Sequence, residues 1–123
     1  MATTIKIDSD QKIIKRAVSG VLNTDRAIKV IRELSMATKT QKDHDILIDL
    51  RGSVTAPEMT DLMAIMSAWS RLANEFDKKI AVIFSKEEER NRFTKTFKTC
   101  MKVQGFKFRQ LSDYDTAIAW LTE

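Results

Sequence analysis

Two short apolar runs constrain this chain more than any other feature: Ile46-Leu47-Ile48-Asp49-Leu50 and Ile80-Ala81-Val82-Ile83-Phe84. Each is followed by a segment with helical periodicity. Short runs rich in β-branched side chains suit strands buried on both faces, so helices must cover both sides of a largely parallel sheet. The alternation fixes an α/β fold class, but no catalytic motif follows from it. The chain has 123 residues, enough for one hydrophobic core and too few for two, so residues 1–123 are expected to form a single domain. Its composition, 43% hydrophobic and 31% charged, is that of a folded rather than a disordered protein.

Around these runs the remaining elements fall into place. Ile5-Lys6-Ile7 and Ile13 to Val18 read as strands, joined by a polar turn at Asp8-Ser9-Asp10-Gln11. Gly20 is expected to end or bulge the second of them. Asn23-Thr24-Asp25 offers N-cap oxygens, and Ala27, Val30, Ile31, Leu34 and Ala37 then recur on one helical face that fades near Lys39-Thr40. After Leu50 a loop leads to Pro57, which favours a first helical turn. Thr55 is the expected cap, and the helix runs over 57–76. A third helix is expected over 86–104, with Phe93, Phe97, Cys100 and Met101 on one side and Lys95, Lys98 and Lys102 opposite. Gly105 stops it, Phe106 to Arg109 forms a last short strand, and Ser112-Asp113 caps a final helix. The resulting order is ββαβαβαβα, a single mixed, mostly parallel sheet with right-handed crossovers.

This order, together with Val18-Ser19-Gly20-Val21-Leu22-Asn23-Thr24-Asp25, Ile46 to Gly52, Lys79 to Phe84 and Asp115 to Leu121, resembles the anti-sigma-factor-antagonist (STAS) domains, most closely their SpoIIAA-like subgroup. The resemblance covers nearly the whole chain and rests on hydrophobic strands, a glycine and an Asp-Leu pair. It implies a four- or five-stranded mixed sheet used as a binding module. Signalling members carry a phosphate-accepting serine in an Asp-Ser pair roughly eight residues beyond the strand aspartate. Pro57-Glu58 stands there instead, so the phosphorylation switch is not carried over, although Ser53 and Thr55 lie nearby. The subgroup also resembles the lipid-carrying CRAL-TRIO fold, which implies an apolar ligand in some members.

The residues themselves offer one unusual element. Met59, Leu62, Met63, Ile65, Met66, Trp69, Leu72, Ala73 and Phe76 cover roughly half of their helix, whereas a helix lying on a sheet needs an apolar stripe of about 100°. The surplus must face something, whether a neighbouring helix, a second copy or partner protein, a membrane, or an apolar small molecule, and methionine suits adaptable contacts. Trp69 and Trp120 either complete the core or line a pocket. Asp49 sits in a buried strand, where a charge must be paired or placed at the strand's open end. Ligands of α/β sheets bind beyond the carboxyl ends of the strands, which makes Asp49, Arg51 and Ser53 the natural polar site. Alternatively, Asp49 simply accepts amides of the following loop.

Several chemistries lack their parts. His44 is the sole histidine and Cys100 the sole cysteine, which leaves no thiolate metal cage or disulfide. His44 reads as a surface side chain with no nucleophile beside it, and Cys100 as a small buried hydrophobe. Gly20, Gly52 and Gly105 are isolated, so no glycine-rich phosphate cradle forms, and no cofactor is expected. No signal peptide or spanning segment is apparent, which points to the cytoplasm. The segment from Lys86 to Arg109 holds eight Lys or Arg against three Glu, a solvated face or a surface for anionic membrane or nucleic acid. Without interleaved aromatics, stacking on bases is poorly supported. The expected function is a non-enzymatic binding or regulatory module working through helix 57–76 and its preceding loop, with the basic helix 86–104 as the alternative.

Overall fold

A computed structural model describes residues 5–56 and 61–123. Strand β1 (Ile5–Asp8) pairs antiparallel with β2 (Ile13–Leu22), and β3 (Asp45–Thr55), β4 (Lys79–Ile83) and β5 (Lys107–Leu111) follow in parallel. The spatial order is β1-β2-β3-β4-β5, identical to the chain order. Every parallel crossover therefore steps in the same direction. With right-handed connections the intervening helices α1 (Thr24–Thr40), α2 (Leu62–Ala73) and α4 (Arg92–Val103) share one face of the sheet. Their side chains join Ile14, Val18, Ile46, Ile48, Ile80 and Val82 in the main core. The opposite face is covered by α5 (Tyr114–Leu121) alone, where Ala117 and Leu121 pack on Ile13, Leu47, Ala81 and Ile83.

The two apolar runs are central strands, as their composition requires. Ile46, Ile80, Ala81 and Ile83 are fully buried, and alternate residues of each run serve opposite faces of the sheet. Local caps also form where the sequence places them. The Asn23 side chain accepts from the amide of Arg26 at 2.8 Å and that of Asp113 from Thr116 at 2.8 Å. Asp8 accepts the Gln11 amide at 3.0 Å in the β1–β2 turn.

Four expectations are corrected. First, β2 continues past Val18 to Leu22, and β3 continues past Leu50 to Thr55. The expected loop at Arg51 to Thr55 is thus strand, with Gly52 to Thr55 paired to Ser19 to Leu22 after a register shift between Ala17 and Ser19. Gly20 does not end β2; it lets the strand continue at a φ of 83°, a backbone that side-chain-bearing residues avoid. Second, Asp61 rather than Thr55 caps α2, accepting from the Ala64 amide at 3.0 Å; the expected start at Pro57 lies outside the described residues. Third, the helix over 86–104 is two helices, because Asn91 accepts from the Phe93 amide at 2.8 Å and starts α4 anew after the short α3 (Lys86–Glu89). The order is therefore ββαβαβααβα. Fourth, His44 is buried, its Nδ1 2.8 Å from Asp43 Oδ1. A turn in which the His44 amide donates to Gln41 O carries the ring inward.

One buried charge went unread in the sequence. Arg16, 1% exposed on β2, donates to Ala17 O at 2.6 Å and to Glu33 Oε1 of α1 at 3.1 Å. The pairing ties the first helix to the sheet and supplies the opposite charge that burial demands.

Candidate functional site: an apolar cavity at the carboxyl ends of the strands

The N-terminal halves of α1, α2 and α4 and the carboxyl ends of β2, β3 and β4 contribute residues to one site. A cavity of about 70 Å³ opens there between sheet and helices. Its floor is Val18, Leu22, Ile48, Leu50 and Val82, and its roof is formed by Val30, Ile31, Ile65, Trp69, Phe93 and Phe97. The aromatic roof is fixed by mutual contacts. Trp69 meets Phe106 edge-on at 5.8 Å and Phe97 at 6.4 Å, while Phe97 stands perpendicular to Phe108 at 5.6 Å. Such offset and edge contacts hold rings in place beyond their area burial. The strand order never reverses, so the sheet lacks the crevice that reversal produces in doubly wound folds. Binding space arises beneath the helix layer instead.

The polar part of the lining comes from the unexpected extension of β3 and from α3. Ser53 is buried and its hydroxyl donates to Leu50 O at 2.8 Å. Thr55 donates from its amide to Glu88 Oε1 at 3.1 Å and from its hydroxyl to the same oxygen. Glu88 is positioned by Ser85, whose side chain accepts from the Glu88 amide at 3.3 Å. Glu88 is the one ionisable side chain among the described lining residues.

The sequence-proposed site residues divide among separate places. Ser53 and Trp69 line the cavity. Met66 is buried in the main core beside it, its carbonyl accepting from Gln104 Nε2 at 3.3 Å. Met63 is 79% exposed, so within the described residues the surplus apolar width of α2 comes down chiefly to this one side chain. Met59 lies outside the described residues. Asp49 and Arg51 do not join Ser53. Asp49 alternates with the core residues Ile48 and Leu50 and so faces the α5 side. The Arg51 guanidinium grips it at 2.9 and 2.7 Å and the Arg51 amide adds a third bond at 3.1 Å. These bonds, led by the guanidinium, hold the Asp49 carboxyl below its usual range, against the opposing effect of partial burial. Asp49 is satisfied within its own strand, by the Arg51 guanidinium first and by a single amide, where the simpler reading had only amides of a following loop.

Glu88 escaped sequence reasoning because its partner Thr55 is 33 residues away. A Glu-Glu-Glu run after a serine carries an N-terminal helix signal only.

A second surface lies at the β5 edge, lined by Lys98, Lys102, Lys107, Arg109 and Trp120. Arg109 and Lys79 approach the Trp120 ring at 5.0 and 5.3 Å. Among the described residues no ion pair engages Lys95, Lys98 or Lys102, and no group of three or more His, Cys, Asp or Glu is placed to hold a metal. No described helix is long and apolar enough to cross a membrane.

No family model matches this sequence, and no curated protein matches it. A solved structure does. The crystal structure of an uncharacterized protein of the DUF3478 family from Shewanella loihica PV-4, described as having a SpoIIAA-like fold, superposes with a TM-score of 0.66. The match covers 98% of this chain and 92% of the other at 18% identity. The five-stranded mixed sheet, its helix layer and this superposition together establish that the chain adopts a SpoIIAA-like α/β fold.

Proposed function

We propose that this domain is a non-enzymatic binding module that seats a small apolar group in the cavity between the sheet and helices α1, α2 and α4. The observation that carries the reading is a preformed cavity of about 70 Å³ at the carboxyl ends of the strands, with an aromatic roof and few polar groups. Ligand sites are typically concave and mostly apolar with a few placed polar groups. A dry cavity of about 150 Å³ accepts benzene, so this one suits a short alkyl group or the end of a longer chain. The one hydroxyl–carboxylate pair among the described lining residues, Thr55 with Glu88, also takes the Thr55 amide on the same oxygen, which suits a tie between β3 and α3 better than a poised nucleophile and base. Xenon binding followed by ¹²⁹Xe NMR tests the cavity directly. The expected result is a saturable shift that Ala27→Phe abolishes; an unchanged shift in that variant, or no shift in either protein, refutes the reading. Native mass spectrometry with solvent extraction then asks what the purified protein carries.

A second reading, association with an anionic surface, is favoured by the four cations Lys98, Lys102, Lys107 and Arg109 that share one surface with no carboxylate among its described lining residues. Binding to anionic vesicles or oligonucleotides that weakens steeply with salt supports it, and salt-independent or absent binding removes it.

A further inference from the structure

We infer that the molecule bound in the cavity presents a hydrogen-bond donor, a hydroxyl or an ammonium on a short apolar group, and not a carboxylate or phosphate. The inference rests on the cavity reading above and follows from how the polar lining spends its hydrogens. The Ser53 hydroxyl donates away from the cavity to Leu50 O, and the Thr55 amide and hydroxyl both donate to Glu88 Oε1. Each hydroxyl has one proton to give, so Ser53 Oγ and Thr55 Oγ1 retain only lone pairs toward the cavity. Glu88 Oε2 is likewise an acceptor without a partner among the described hydrogen bonds. Among the described lining residues the remaining side-chain donor is the single neutral indole N–H of Trp69.

A carboxylate or phosphate entering here meets a wall of lone pairs and the charge of Glu88, which is repulsive in an apolar surrounding. A hydroxyl finds acceptors already oriented, and an ammonium adds an opposite charge. The Thr55–Glu88 contact thus does two things. It joins the end of β3 to α3, and it turns the polar edge of the cavity into an acceptor-only surface. Preorganised acceptors left unpaired by the wrong ligand discriminate more sharply than apolar fit does, since a missing methylene changes affinity far less than a buried polar group without its partner.

The test uses three short probes with one carbon skeleton: 1-propanol, propylamine and propanoate at pH 7. Binding is read from Trp69 emission in the Trp120→Phe background, where Trp69 is the single tryptophan. The alcohol and the amine are expected to bind at least tenfold more tightly than the carboxylate. Glu88→Gln, which replaces the charge by an amide that can donate, is expected to cut the gap between amine and carboxylate to below threefold. Equal or tighter binding of the carboxylate to the unsubstituted Glu88 protein overturns the inference, and that comparison stands even if the Glu88 variant folds poorly. If xenon enters but none of the three probes binds, the head-group inference fails while the cavity reading survives. If xenon is also excluded, both fail.

Discussion

Asp49 and Arg51 show how a residue that looks functional is absorbed by its own neighbourhood. Two positions apart on β3, they share a face, and the guanidinium saturates the carboxylate. Arg51 holds Asp49 below its ordinary value, so the folded protein takes up a proton on this group less readily than the unfolded chain. The resulting stabilisation is complete above the unfolded value of about 3.9 and is lost as pH falls through the lower, folded-state value. Urea midpoints at pH 6 and pH 3 check this: Arg51→Met is expected to lose less stability across that interval than the parent protein. The difference stays below about 1 kcal/mol, because the Arg51 side chain is 44% exposed. Residue chemistry was legible in the sequence where a cap meets its own first turn, as for Asn23 with the Arg26 amide, but the grip of Arg51 on Asp49 was missed because both were assigned to one polar site with Ser53. It was not legible for Thr55 with Glu88 or Arg16 with Glu33, whose pairing depends on the tertiary arrangement.

At the scale of elements, apolar periodicity located both central strands and every long helix, since burial writes itself into side-chain type. It missed the strand ends. Ser19 to Leu22 and Gly52 to Thr55 are mostly small or polar, and they pair through their backbones in a register set by their neighbours. The cavity's polar lining lies on this stretch, which is why Ser53 was found by its position after the strand and Thr55 was mistaken for a cap. The end of α4 was readable. Gly105 adopts a φ of 90°, its amide donates to Lys102 O at 3.0 Å, and that of Phe106 donates to Met101 O at 3.3 Å. This is a Schellman closure, completed by burial of both Met101 and Phe106. Gly105→Ala is expected to cost about 1 kcal/mol in urea unfolding, although no atom stands within 4 Å of the added methyl. A cost near zero shows that the backbone relaxes out of the left-handed region.

The whole molecule is lopsided: three helices stand over one face of the sheet and α5 alone covers the other. The small cluster beneath α5 has little redundancy. Leu121, 4% exposed in the last turn of α5, is therefore expected to matter as much as a central core residue. Leu121→Ala should destabilise the protein by about 3 kcal/mol, against well under 1 kcal/mol for Met63→Ala on the exposed side of α2. Thermal or urea unfolding of the two variants separates these outcomes, and equal effects contradict this assignment of the core. The sequence conveyed the α/β class because the sheet's interior dominates composition, but it left open whether Trp120 completes the core or lines a pocket. Ala117 is fully enclosed, whereas Trp120 lies half outside between Lys79 and Arg109.

The agreement between chain order and strand order has a consequence for biosynthesis. Each strand leaving the ribosome can settle beside the one made just before it, and none has to wedge itself between two that are already joined. A nascent chain therefore offers a single advancing border for the next segment. The finished border, β5, bears Lys107 and Arg109, charges that discourage a stranger's strand from continuing the series.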